Sequence, residues 1–182
     1  MPDSNITSEN AENDAWKMIA DQLASKDDNL DYTAEIPTKN HSVTLDIDVH
    51  PDRGDDNEKP ITSFSADLSA DTSFSFSIQK QGLKHQIGKL FGMQDVIIGH
   101  PEFDKKYLIQ SNDPARVKEV LFQPGVYAEL LNHPVVNFGI RERKIAVNTD
   151  IVLVLDLEGI ITEPDKLKQV FQSFKIVLDY LE

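Results

Sequence analysis

Cysteine is absent from the 182-residue chain. Disulfides, thiolate nucleophiles, zinc-thiolate sites and iron–sulfur clusters are therefore excluded, and an intracellular protein is expected rather than a stapled secreted scaffold. Long apolar runs are missing too, since no stretch approaches the roughly 20 residues of a membrane-spanning helix. Residues 1–13 are polar and acidic, without the basic start and apolar middle of a secretory signal, so the location expected is cytoplasmic. Basic residues are scarce: 18 Lys and Arg face 31 Asp and Glu, a formal net charge of −13. Residues 1–72 carry 17 acidic against 5 basic side chains, a net of −12, and residues 73–182 carry 14 against 13, a net of −1. A chain so charged is repelled by phosphate backbones and anionic headgroups, so nucleic acid is not an expected partner. An acidic face meeting a basic partner is the sharper use of that charge.

What is present is the material of an ordinary globular domain: 40% hydrophobic residues and 27% charged, enough to form one core without a staple. The pattern predicts a disordered acidic tail over residues 1–12 and a single domain over 13–182. Asn13 or Asp14 caps a first helix with Trp16, Ile19, Ala20 and Leu23 on one side. Alternation marks strands over 30–36, 42–50, 61–68 and 73–80. The second is the cleanest, with Val43, Leu45, Ile47 and Val49 on one face and Thr44, Asp46, Asp48 and His50 on the other. Residues 82–92 read as a short helical segment with an apolar stripe of Leu83, Ile87, Leu90 and Phe91. Residues 96–98 and 106–110 are further strand candidates.

Asp113 followed by Pro114 starts a helix running to about Phe122, because the carboxylate accepts from free amides and proline needs no donor there. Pro124 opens a second short helix, closed at His133-Pro134. Strands over 135–141 and 150–157 flank a basic turn with Arg141, Arg143 and Lys144. The second strand is apolar on both faces, from Ile151 to Leu155, and belongs at the centre of a sheet. Thr162, Pro164 and Asp165 begin a last helix whose stripe contains Leu167, Val170, Phe171, Phe174, Val177, Leu178 and Leu181. The fold class is α+β: a mostly antiparallel, curved sheet of about six to eight strands packed against N- and C-terminal helices, with a short helical pair inserted.

The series Gly82-Leu83, Gly88 to Asp95 (GKLFGMQD), Gly99 to Asp104 (GHPEFD), Asn112-Asp113 and Arg116-Val117 resembles the signature of a bacterial protein family with no established activity. The likeness covers residues 74–131 closely and reaches loosely to Trp16 and to residues 158–161. It implies no catalytic residues. Physically, the glycines turn the chain and Pro101 stiffens its approach to Glu102-Phe103-Asp104, which suits a packed crossover or the rim of a ligand pocket. Lys89, Met93, Gln94, Asp95, Glu102, Phe103 and Asp104 are accordingly the candidate ligand or interaction residues.

Other signals are weaker. Asp46, Asp48 and His50 share one strand face at roughly 7 Å spacing. With Asp52, Asp55, Asp56 and Glu58 they form an oxygen-rich set of the kind that holds Ca²⁺ or Mg²⁺, although the EF-hand spacing is missing. Gly88-Lys89 fails the phosphate-loop pattern, having Leu90 where the metal-binding Ser or Thr belongs. No Gly-x-Ser-x-Gly elbow or His-Glu-x-x-His helix is present. Residues 83–91 carry Lys84, His85 and Lys89 beside the apolar stripe, which allows contact with an anionic membrane surface. Arg141, Arg143 and Lys144 form an anion patch if the fold brings Lys105 and Lys106 beside them.

No cofactor is expected. The leading expectation is a non-enzymatic ligand-binding or protein-interaction module of the bacterial cytoplasm, a monomer or weak homodimer with an unidentified protein or small-molecule partner. The alternative is a metal-dependent hydrolase using Asp46, Asp48 and His50.

Overall fold

A computed structural model describes residues 4–25, 31–50, 59–69, 73–82, 92–145 and 148–182. In chain order these form α1 (Ser4–Ala24), β1 (Tyr32–Pro37), β2 (Ser42–Asp48), β3 (Ile61–Leu68), β4 (Phe76–Lys80) and β5 (Gln94–Asp95). There follow α2 (Pro101–Lys106), β6 (Tyr107–Ser111), α3 (Pro114–Leu121), α4 (Val126–Asn132), β7 (Val135–Ile145), β8 (Asn148–Glu158) and α5 (Pro164–Leu181). The strands of the described residues make one open sheet in the order β1-β2-β3-β8-β7-β4-β6-β5, antiparallel at every pairing. The α+β class, the antiparallel sheet and the helices at both ends agree with the expectation.

The centre of the sheet is β8, which pairs with β3 on one side and β7 on the other. Its residues 152–157 are all buried, as a strand apolar on both faces requires. Leu153, Leu155 and Leu157 join the core with Phe64 of β3 and Phe138 of β7. α5 covers them, because only residues 159–163 separate it from β8 and its stripe from Leu167 to Leu178 turns inward. The rings of Phe171 and Phe174 each stand 6.1 Å from that of Phe64. Trp16 meets Phe171 edge-on at 5.2 Å, which seats α1 on the same layer. Burying each such side chain stabilises the fold by roughly 1.5–3 kcal/mol. Across the sheet, Gly139 of β7 lies so close to β4 that a β-carbon there would collide with the backbone carbonyl of Phe76. No side chain fits at that crossing.

Several boundaries differ from the sequence reading. The helix start expected at Asn13 or Asp14 lies inside α1, which takes in residues 4–12, set apart as a tail by their composition. Glu12 accepts from Lys175 at 2.6 Å, and this partner on α5 is invisible locally. Arg141 and Arg143 are not in a turn. They belong to β7, with Arg143 held by Asp67 at 2.5 Å and Asp150 at 3.5 Å, and Arg141 3.6 Å from Asp156. These pairings carry the ladder out to Ile145↔Asn148. Residues 96–98 are not a ladder strand, although the Val96 amide donates to the Ile109 carbonyl at 2.8 Å. Residues 101–105, unassigned in sequence, form α2 together with Lys106, which the alternation places in the following strand. The α5 cap position is Glu163 rather than Thr162, and α4 begins after Gly125, two residues beyond Pro124. Asp113 caps α3 as expected, accepting from the amides of Ala115 and Arg116 at 3.1 and 3.0 Å. The anticipated helix with Lys89, and the acidic loop from Asp52 to Glu58, lie outside the described residues.

Phe174 is fully buried, so Phe174→Ala is expected to cost about 3–5 kcal/mol. Urea titration should show this as a fall in midpoint that does not depend on protein concentration. A wild-type midpoint that rises with concentration, and a variant that abolishes the rise, would assign the α5 stripe to an interface instead.

Candidate functional site

The segment from β5 through α2 to β6 is built around a change of chain direction at Gly99, whose φ of +88° lies in the left-handed region that glycine adopts freely. Pro101 then occupies the first turn of α2. Asp104, one turn in, sends its carboxylate back to the loop: Oδ1 accepts from the Ile98 amide and Oδ2 from the Gly99 amide, both at 3.0 Å. The helix is tied to the strand that precedes it. Phe103, fully buried, packs its ring 4.7 Å from Tyr107 and 5.2 Å from Tyr127.

The next two residues serve the end of α4. The Lys106 ammonium donates to the carbonyls of Leu131 and His133 at 2.7 and 3.2 Å, and the Tyr107 hydroxyl donates to the Leu130 carbonyl at 2.7 Å. Carbonyls at a helix C-terminus have no partners within the helix, so this is a tertiary cap. Burial pushes the Tyr107 hydroxyl far above its ordinary pKa. Burial also lowers that of Lys106, helped by the neighbouring charge of Lys80 and opposed by Glu102. The inward-facing residues of the motif are therefore used in packing.

Its outward face is different. His100 is exposed, with its ring centroid 4.7 Å from that of Tyr127 and 5.3 Å from that of Phe122, and Phe122 stands 6.4 Å from Tyr127. Phe122 is 48% exposed and Ile97 74%. Three residues of chain span at most about 11 Å, so the backbone of Ile97 lies within that reach of His100. The exposed large hydrophobics among the described residues are Phe122, within the ring set, Ile97, three residues before His100, and Met18 on α1.

Of the residues selected from sequence, Gln94 and Asp95 are exposed on the edge strand β5, with Asp95 accepting from Gln110 Nε2 at 2.9 Å. Met93 is half-buried and Glu102 exposed. Lys89 lies outside the described residues. Asp104 joins the two halves of the set through Ile98 and Gly99. His100, Ile97, Phe122 and Tyr127 were missed as a group. A local signal exists for Phe122, which follows the buried Val120 and Leu121 and falls off their helix face.

Among the described residues the other candidate clusters do not converge. Asp46 accepts from the Thr33 hydroxyl at 2.6 Å, while Asp48 accepts from the His50 amide at 2.9 Å. Among the described residues no group of three or more His, Asp or Glu is placed to hold a metal ion. Arg141 and Arg143 lie beside carboxylates, and Lys106 is spent on α4, so they form no common anion patch. A polar recess of about 980 Å³ opens between α1, the turn after β1 and α5, lined by Glu9, Lys39, His41 and Asp179 among others and crossed by the Glu12–Lys175 pair. Among the described residues no helix is long and apolar enough to cross a membrane.

Removing the Asp104 carboxylate leaves two loop amides without their charged acceptor, a loss of about 1–3 kcal/mol. Asp104→Ala should lower the thermal midpoint and speed amide exchange at Ile98 and Gly99, whereas the exposed Glu102→Ala should change stability by less than about 0.5 kcal/mol. Equal effects from the two substitutions would refute the structural role given to Asp104. No protein-family model, curated protein or solved structure matches the chain.

Proposed function

We propose that the protein is a non-enzymatic interaction module of the bacterial cytoplasm that recognises a partner protein through the corner formed by Ile97, His100, Phe122 and Tyr127. The observation that carries this is the set of three mutually tilted rings of His100, Phe122 and Tyr127, with His100 and Phe122 exposed and the exposed Ile97 three residues before His100. Aromatic side chains held rigid at a surface supply large contact area at small entropic cost and are enriched among interface hot spots. Contiguous exposed apolar and aromatic side chains, unlike single scattered ones, mark interaction sites. The net charge of −13 supports a protein partner over a nucleic acid or an anionic membrane. Asp104, Lys106 and Tyr107 support the same reading from below, since Asp104 fixes the loop before His100 and the other two hold the C-terminal end of α4, the helix that carries Tyr127.

A displayed random-peptide library selected on the immobilised protein tests this. Enriched sequences, made as synthetic peptides, should bind the wild type and bind Phe122→Ala at least roughly tenfold more weakly, about 1.4 kcal/mol. Peptides that bind both proteins alike, or no enrichment at all, would remove the proposal.

A further inference from the structure

We infer that the partner is taken up as an extended peptide that adds as a further strand to the open edge of β5, an inference that rests on the interaction reading above. Among the described residues β5 is the last strand of the sheet and pairs only with β6. The bond from the Val96 amide to the Ile109 carbonyl fixes which backbone groups face inward. In an antiparallel ladder the residues that bond a given neighbour alternate, and the register sets Gln94 opposite Ser111 and Asp95 opposite Gln110. Gln94 and Val96 therefore face β6, and the N–H and C=O groups of Asp95 and Ile97 turn to the open side. Two such sites roughly 7 Å apart form one repeat of a ladder, which an extended chain satisfies with its own backbone.

The side chains give this edge a specificity. Val96 and Ile98 are buried, so Ile97 between them points the other way, 74% exposed. It meets the first apolar side chain of an added strand. Gly99 then turns the chain, and the His100, Phe122 and Tyr127 rings receive a second apolar side chain further along. Exposed carboxylates at Asp95 and Glu102 stand at the two ends of this run, with Lys105 one turn further into α2. These two exposed carboxylates favour basic residues flanking the apolar ones. The occupant is thus an extended, basic–apolar segment of a partner protein rather than a second copy of this acidic chain. The edge is also guarded against self-pairing, being only two ladder residues long and carrying a charged side chain.

The test is backbone amide exchange followed by NMR on the full chain, free and saturated with a synthetic peptide selected as above. Exchange at Asp95 and Ile97 should slow at least roughly tenfold on binding, while Gln94 and Val96, already bonded to β6, change little. Peptides N-methylated at alternate backbone positions should divide into one series that binds and one that does not, and Ile97→Pro, which removes an edge donor, should weaken binding. Should Ile97→Pro fail to fold, the methylated peptides make the same test on the wild type. If peptides bind and lose affinity in Phe122→Ala, yet leave Asp95 and Ile97 unprotected and tolerate methylation in both series, the corner is the site and strand addition is wrong. If no peptide binds, the interaction reading itself falls. Protection of the edge amides that grows with protein concentration alone would make the occupant a second copy and overturn the inference.

Discussion

The contact on which the rest of the structure depends is the packing of one face of α5 against Phe64 and the leucines of β8. A central strand apolar on both faces cannot stand beside water, and α5 is connected to it by too few residues to go elsewhere. Once Phe171 and Phe174 are buried on Phe64, the remaining sides of α5 decide what packs next. Trp16 brings α1 against Phe171, and Lys175 holds Glu12 a turn earlier in α1, so the two helices run antiparallel across the sheet. The same layer receives Leu130 of α4, and with it the inserted pair of helices.

That insertion is held by polar contacts rather than by volume alone. The exposed C-terminal carbonyls of α4 would be costly beside the core, and Lys106 and Tyr107 satisfy them from the α2–β6 junction. Asp104 closes the other end by binding the amides before α2. The loop that carries Ile97 and His100 is thereby fixed to α2, and the C-terminal end of α4, the helix that carries Tyr127, to the α2–β6 junction. A rigid frame with apolar and aromatic side chains left facing water is an arrangement suited to recognition.

Much of this frame is legible in the sequence because it follows periodicity. The alternation in residues 43–47 and 61–68, the apolar run 151–155 and the stripe from Leu167 to Leu178 each report burial directly, and each element forms where expected. Asp113-Pro114 is equally direct, since both residues act within their own turn. What sequence hides is whatever depends on a distant partner. Residues 4–12 look like a polar tail until Lys175 is seen beside Glu12, and Arg141 and Arg143 look like a turn until Asp67, Asp150 and Asp156 are seen beside them. α2 carries a proline at its start, acids in its first turn and lysines in its last, a helix signal that six residues make easy to overlook. The candidate corner was legible only in part. The Gly99–Asp104 run is marked by its density of turn residues, yet His100, its outward member, gains meaning only from Phe122 and Tyr127, more than 20 positions away.

The central claim is that the apolar side chains at this corner serve recognition and not the stability of the fold. The direct measurement is urea unfolding of a chain carrying Ile97→Ser together with Phe122→Ser. Recognition residues that the fold does not need should leave the unfolding free energy within about 1 kcal/mol of the wild type, with an unchanged denaturant slope. A loss of about 2–5 kcal/mol, the range of a core truncation, would show that these side chains are part of the protein's own packing and would contradict the account.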